Sequence, residues 1–378
     1  MSKPLVKPRV LIIENAIAVT GSVKSAVRSC ESLVNEFDFS FIIPKQSHAK
    51  SFIEKTGFMV YELPLLEISK SWKVFFYLPV LFYNVFKLKK IVTRSGASLI
   101  IANDFYNMLP ALNKLLGSRV PYVTYVRFIP SRFPKILVGI WCYFHFWLSE
   151  KIIAVSTCVY KHLKPHPKVT QVYNELPVEE GYKFYPYDEK SRTVLYLSNY
   201  IQGKGLEYAI KSFASLGEDF SDWTLRFVGG DMGLKKNKAY KKSLLALAEN
   251  SKVSYRILWN DFTENVIDEY KQAALVLNFS DSESFSLTCI EAMTIGRPVI
   301  ATKSGGPEEI ITPGIDGELV DVRNEPQMIV ALKKLLSNAP LRKAYGEHAH
   351  ASVSKKFSLE NTVYKLRPIY HNAITKQD

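Results

Sequence analysis

Glu283 and Glu291 stand with seven residues between them in the run Glu283-Ser284-Phe285-Ser286-Leu287-Thr288-Cys289-Ile290-Glu291-Ala292-Met293. A strand-like stretch, Leu275-Val276-Leu277-Asn278-Phe279, leads in, and Gly296-Arg297-Pro298-Val299-Ile300-Ala301-Thr302 leads out. The apolar spacing from Leu287 to Met293 predicts a helix that begins just after the first glutamate. Such a start carries unpaired backbone N–H groups and the positive end of the dipole, both of which favour an anionic phosphate. One carboxylate precedes the helix and the other lies about one turn inside it, so both can face one crevice. Carboxylates beside a phosphate suit sugar or ribose hydroxyls, from which they accept hydrogen bonds.

Holding these groups requires a framework of strands and helices, and the chain supplies the pattern twice. In the first half, Arg9–Ile13, Phe39–Ile43, Met59–Leu63, Ser98–Ala102, Tyr122–Val126 and Lys151–Val155 read as strands. They alternate with helical stretches, the first from Val23 to Leu33 after a loop through Gly21-Ser22. After a polar, Pro- and Tyr-rich stretch from Glu179 to Arg192, strands restart at Thr193–Leu197 and continue through Leu225–Gly230, Val253–Ile257, Leu275–Phe279, Pro298–Thr302 and Gly317–Val320. This alternation implies βαβ units and two doubly wound α/β domains, whose ligands bind outside the carboxyl ends of the strands.

Size and composition agree with two or three domains: the chain has 378 residues, 47% of them hydrophobic. The four cysteines (Cys30, Cys142, Cys158 and Cys289) are scattered without a Cys-x-x-Cys, as expected in a reducing compartment and against a disulfide framework or a zinc site. Met1-Ser2-Lys3-Pro4 leads almost at once into a strand, unlike a signal peptide, so a cytoplasmic location is expected. The net charge of +13 is uneven, with 19 Lys and Arg against 9 Asp and Glu in residues 1–150, a balance of +10. A basic surface of this kind serves nucleic acid, an anionic membrane or an acidic substrate.

The glutamate block resembles the E-x7-E signature of the family 4 retaining glycosyltransferases (glycosyl transferases group 1). Downstream, Ser304-Gly305-Gly306-Pro307-Glu308-Glu309-Ile310 and Gly314-Ile315-Asp316-Gly317-Glu318-Leu319-Val320 resemble further segments of that family. The resemblance implies the GT-B fold: two Rossmann-like domains facing across a cleft, with a C-terminal helix packing back on the first. The expected boundaries are an acceptor-binding domain over 1–178, a donor-binding domain over 190–357 and the returning helix over 358–378. It implies transfer of a hexose-type sugar from a nucleotide-diphosphate donor with retention of configuration and no cofactor or metal. Glu283 would support the donor sugar and Glu291 would hold the ribose, while amides from Ser284, Phe285, Ser286 and Leu287 would meet the diphosphate.

By the same resemblance, Ser198-Asn199-Tyr200-Ile201-Gln202-Gly203-Lys204-Gly205 matches the loop whose arginine and lysine hold the diphosphate. Lys204 matches the lysine, a point charge able to neutralise the leaving group. The arginine position is Asn199. Gly21-Ser22 occupies the loop where the family carries a Gly-Gly pair that lets backbone approach the donor. Arg127, a catalytic candidate, stands where many members place a histidine; it can bind phosphate or carboxylate bidentately and so replace the charge missing at Asn199 or recognise an acidic acceptor, or it can form a structural ion pair. Asn103 and Asp104 end a strand at the same edge and are candidates for touching the acceptor. Ser156 and Asn174 fall on landmarks near the domain junction.

Two aromatic, basic segments remain. Trp72–Lys90 and Pro134–Leu148 are too interrupted to cross a bilayer, which takes about 20 apolar residues. Their Trp, Tyr and Lys suit either an interfacial position on an anionic membrane or two core helices. With the basic first half, they predict a lipid-linked acceptor met at a membrane surface. Nucleic acid is not expected, because the aromatics lie in apolar stretches rather than along a basic track. The competing readings are a sugar-nucleotide epimerase or phosphorylase of the same fold, or a non-catalytic glycan-binding protein.

Overall fold

The computed structural model describes residues 7–66, 76–176 and 182–376. The beginnings of the Trp72 segment and of the Glu179 stretch, and Met1-Ser2-Lys3-Pro4, lie outside the described residues. Two compact units divide the chain, one of Met1–Glu175 with Leu359–Asp378 and the other of Leu176–Ser358.

The first unit holds β1 (Arg9–Ile13), β2 (Asp38–Pro44), β3 (Met59–Leu63), β4 (Ala97–Ala102), β5 (Tyr122–Val126), β6 (Lys151–Ala154) and β7 (Val169–Gln171). They form one parallel sheet in the order β3-β2-β1-β4-β5-β6-β7. Runs such as Val10-Leu11-Ile12-Ile13 are buried on both faces, as expected where helices cover a sheet on either side. The chain reverses its direction of travel between β1 and β4, which makes their carboxyl ends the switch point. The last helix, Leu359–Thr375, belongs to this unit. It buries Leu366, Tyr370 and Ala373 in the unit's core. The Tyr370 and Tyr125 hydroxyls lie 2.5 Å apart, and Arg367 pairs with Glu36 at 2.7 Å. The expected return of the C-terminal helix to the first domain is what the structure contains.

The second unit holds β8 (Thr193–Leu197), β9 (Thr224–Val228), β10 (Ile257–Asn260), β11 (Leu275–Asn278), β12 (Val299–Thr302) and β13 (Gly317–Val320). Their order, β10-β9-β8-β11-β12-β13, places a second switch point between β8 and β11. Two strands differ from the sequence reading. Residues 254–256 make a short helical turn, and the strand begins only at Ile257. Arg256 is the cause: its guanidinium is buried, lies over the Phe213 ring and donates to the Phe220 carbonyl at 2.5 Å, anchoring the turn before the strand pairs. Strand β7 was not expected, since three half-buried residues are too few to show a pattern.

The aromatic segments fold as the helices Tyr77–Ser95 and Lys135–Leu148, with Leu109–Leu115 packed against each of them. Each buries only a narrow set, Asn84, Val85, Leu88 and Ser95 in one and Trp141 and His145 in the other. Phe82, Phe86, Ile136, Ile140, Tyr143 and Trp147 stay exposed. Among the described residues no helix is long and apolar enough to cross a membrane.

Candidate active site

In the second unit, the loops after β8 and β11 meet over the switch point. The Tyr196 hydroxyl ties them together, donating to the Lys204 carbonyl and accepting from the Phe279 amide at 2.8 Å. Gly205 opens the helix Leu206–Ala214 with φ +74, and a Cβ there would run into the Phe279 carbonyl, so only glycine allows this approach. The result places Lys204 Nζ 2.6 Å from Glu283 Oε1. Their side chains are 33% and 13% exposed, which leaves both open to a ligand. Ser280 donates to the same carboxylate oxygen at 2.7 Å, and the Glu283 backbone is fixed by Ser304 and Gly306 at 2.9 and 2.7 Å.

The predicted helix runs from Leu287 to Thr294. Ser286 caps it from the left-handed region, with φ +82, its hydroxyl accepting from the Cys289 amide and from Asn278 Nδ2. By position the Leu287 and Thr288 amides have no partner within the helix, so the anion-favouring geometry is present beside Lys204 and Glu283. Ser284 is half-buried, while Phe285 is buried edge-on against Phe357. Glu291 lies one turn in and is only 3% exposed, with Tyr270 donating to its Oε2 at 3.1 Å. Asn199 turns its side-chain oxygen to the Gly230 amide at 3.3 Å. The structure thus brings Lys204, Glu283 and the Ser286 helix start together, and sets Glu291 deeper.

The first unit gathers a separate polar cluster at its own switch point. Asn103, just past β4, donates through Nδ2 to Glu14 Oε2 and to the Ser22 carbonyl at 3.3 Å. Gly21 and Ser22 form the start of the helix Gly21–Leu33, capped by Thr20, with Gly21 exposed. Arg127 is 6% exposed and spends its guanidinium inside this cluster. It donates to Asn103 Oδ1 at 2.9 Å, Ser25 Oγ at 3.1 Å and Asn174 Oδ1 at 2.9 Å, and lies over the Tyr125 ring. Asp104 is buried, its Oδ1 accepting from the Phe105 and Arg127 amides at 2.8 and 3.3 Å. Burial pushes its carboxyl well above the ordinary range, against the pull of those amides and Arg127. Ser156 caps the helix Thr157–Lys161. Among the described residues no three His, Cys, Asp or Glu side chains are grouped to hold a metal ion.

A family model described as glycosyl transferases group 1 matches residues 179–352, nearly the whole second unit. The second unit belongs to that family. A curated relative, N-acetyl-alpha-D-glucosaminyl L-malate synthase of Bacillus anthracis, is 26% identical over 238 residues, covering 60% of this chain and 60% of its own length. A D-inositol 3-phosphate glycosyltransferase of Corynebacterium urealyticum is 33% identical over 178 residues, 46% of this chain and 41% of its own. The chain therefore spans about 60% or less of the length of these curated relatives. Among solved structures, Anabaena Alr3699/HepE in complex with UDP and glucose matches 96% of this chain and 99% of its own, with TM-score 0.81 and 18% identity. A sucrose-phosphate synthase from Thermosynechococcus elongatus matches 98% and 100%, with TM-score 0.81 and 16% identity. These likenesses carry the fold, GT-B, with its two Rossmann-like units.

Within the group 1 unit, the sequence reading missed Arg323. It holds Asp281 through two contacts, Nε to Oδ1 at 3.1 Å and Nη2 to Oδ2 at 2.5 Å, and its side chain is 63% exposed. Asp281 in turn donates its amide to the Gly203 carbonyl at 2.8 Å, beside Lys204. A second cation thus stands at the edge of the loop 198–205 that carries Lys204. Its signal was hidden, because Arg323 is 42 residues from Asp281. Tyr196 and Ser280 were also missed, since both act through backbone or through Glu283.

Proposed function

We propose that the chain is a retaining glycosyltransferase that moves a hexose-type sugar from a nucleotide-diphosphate donor to a glycan acceptor, lipid-linked and met at the cytoplasmic face of a membrane. The observation that carries this reading is the Lys204–Glu283 pair at the β8/β11 switch point beside a capped helix start. Relatives named as glycosyltransferases, and a like-folded protein in complex with UDP and glucose, support the donor class.

In this reading the donor diphosphate takes Lys204 and the amides at Ser286–Leu287, with Arg323 as an additional cation. Glu283 is released from part of its bond with Lys204 and steadies the sugar. An acceptor hydroxyl oxygen forms the new bond to the anomeric carbon on the face that the diphosphate leaves. The carbon–oxygen bond to the diphosphate breaks, its electron pair goes to the departing oxygen, and the acceptor proton follows to that phosphate. Preorganised cations and amides at the point where charge develops are the main catalytic contribution. Glu291 holds the ribose after Tyr270 shifts its hydrogen bond, so Glu291→Ala is expected to raise the donor KM with a smaller change in kcat.

The test is a screen of nucleotide sugars by thermal shift, since a bound donor raises apparent stability, followed by the same donors with and without acceptor. Glycoside formed only with acceptor supports transfer. Epimerised nucleotide sugar from donor alone would replace this reading with the epimerase.

A further inference from the structure

Two acids on the loop after β11 each hold a cation that another strand delivers. Glu283 holds Lys204 from the loop after β8, and Asp281 holds Arg323 from just past β13. The difference between the pairs lies in the arginine. Arg323 sits in the left-handed region, with φ +62, where a side chain costs energy and glycine costs none. Its ion pair contributes little in return, because a guanidinium that is 63% exposed is screened by water. Stability alone therefore gives no reason for an arginine here, and backbone strain of this kind collects where a side chain meets a ligand.

The two partners are unequally fixed. Asp281 is 15% exposed, and its amide donates to the Gly203 carbonyl at 2.8 Å. Its Oδ2 lies 3.8 Å from the place that a Cβ on Gly203 would take, so the carboxylate stands over the residue before Lys204. Arg323 donates from Nη2 to that same Oδ2 at 2.5 Å and from Nε to Oδ1 at 3.1 Å. The guanidinium is thus one carboxylate away from the Lys204 loop, on a long side chain with solvent around it. Glu207 also faces it, but that carboxylate already accepts from the Tyr240 hydroxyl.

A diphosphate arriving at Lys204 competes for this guanidinium too. Paired N–H groups fit phosphate oxygens as well as they fit a carboxylate, and the diphosphate carries more charge. We propose that Asp281 and Arg323 form an exchange pair that sets the affinity for a nucleoside diphosphate. The ligand draws Arg323 off Asp281 on binding, and Asp281 takes it back on release. This inference rests on the donor reading of the Lys204 loop and adds to it a carboxylate whose presence weakens binding.

The test is calorimetric titration of the full chain with UDP, GDP and ADP, the tightest of which is then used with the variants. Asp281→Asn keeps the backbone bond to Gly203 and removes the charge that holds Arg323, so it should tighten binding ~5–10-fold. Arg323→Gly removes the guanidinium and relieves the left-handed backbone. It should weaken binding several-fold while the melting temperature holds or rises, a combination that a structural ion pair does not produce. The double variant separates exchange from simple repulsion of the ligand by Asp281, and it should bind as weakly as Arg323→Gly alone. Unchanged or weaker binding by Asp281→Asn, or a tightening that survives in the double variant, overturns the exchange pair and leaves the donor reading standing. So does an Arg323→Gly chain that melts lower and binds the diphosphate as before. Failure of the unaltered chain to bind UDP, GDP or ADP overturns both.

Discussion

Lys204 and Glu283 are 2.6 Å apart, so in the proposed reaction an incoming diphosphate competes with a carboxylate for the lysine. A partly exposed pair contributes little to stability, about 0–1 kcal/mol. Glu283→Gln should therefore leave the melting temperature nearly unchanged while lowering kcat by about 100-fold, through loss of charge at the sugar. A large fall in stability with unaltered turnover would assign the pair to structure. At Asp104 the balance runs the other way. Burial raises its folded value above the ordinary 3.8, so the carboxyl lends stability while protonated and loses it as pH rises through the folded value. Glu175, also raised by burial, adds the same sign. Asp104→Asn keeps the oxygen that accepts from Phe105 and Arg127, and should raise the melting temperature at pH 8 but hardly at pH 4. Equal shifts at both values would show that the buried charge is not the cause.

At the scale of the element, the helix Leu287–Thr294 is the piece that turns a pair of glutamates into a site. Its cap has two opposed contributions. Ser286 stabilises the start by accepting from Cys289 and costs energy by sitting at φ +82. Ser286→Ala should lose the cap, about 1 kcal/mol, and keep the unfavourable backbone. Ser286→Gly loses the same cap but relieves a left-handed cost of roughly 1–2 kcal/mol. Urea denaturation should rank alanine as the less stable variant; the reverse order would mean that the backbone is not strained there. This helix was legible because apolar spacing and the strands on either side agreed on one register. The segment before β10 was not, because Arg256 reads as a surface residue until the Phe213 ring and the Phe220 carbonyl that bury it are in place.

Across the whole molecule, charge and apolar surface are concentrated together in the first unit. Phe82, Phe86, Ile136, Ile140, Tyr143 and Trp147 project from helices that also carry Lys87, Lys90 and Lys135 on their surfaces. That combination suits an anionic bilayer interface. Flotation with vesicles rich in anionic phospholipid should carry the protein, neutral phosphatidylcholine vesicles should not, and Phe82→Ser with Phe86→Ser and Trp147→Ser should lower the bound fraction several-fold. Equal binding to both vesicle types would remove the electrostatic part of the proposal. The sequence alone determined the repeated βα alternation and the helix that follows Glu283, because each is written in local periodicity. Only the tertiary structure decided where the long-range partners fall. It spent Arg127 on Asn103, Ser25 and Asn174, brought Arg323 to Asp281 and sank Glu291 beside Tyr270. Those outcomes depend on strand order, which sets residues far apart in the chain side by side at a switch point and leaves no mark in local sequence.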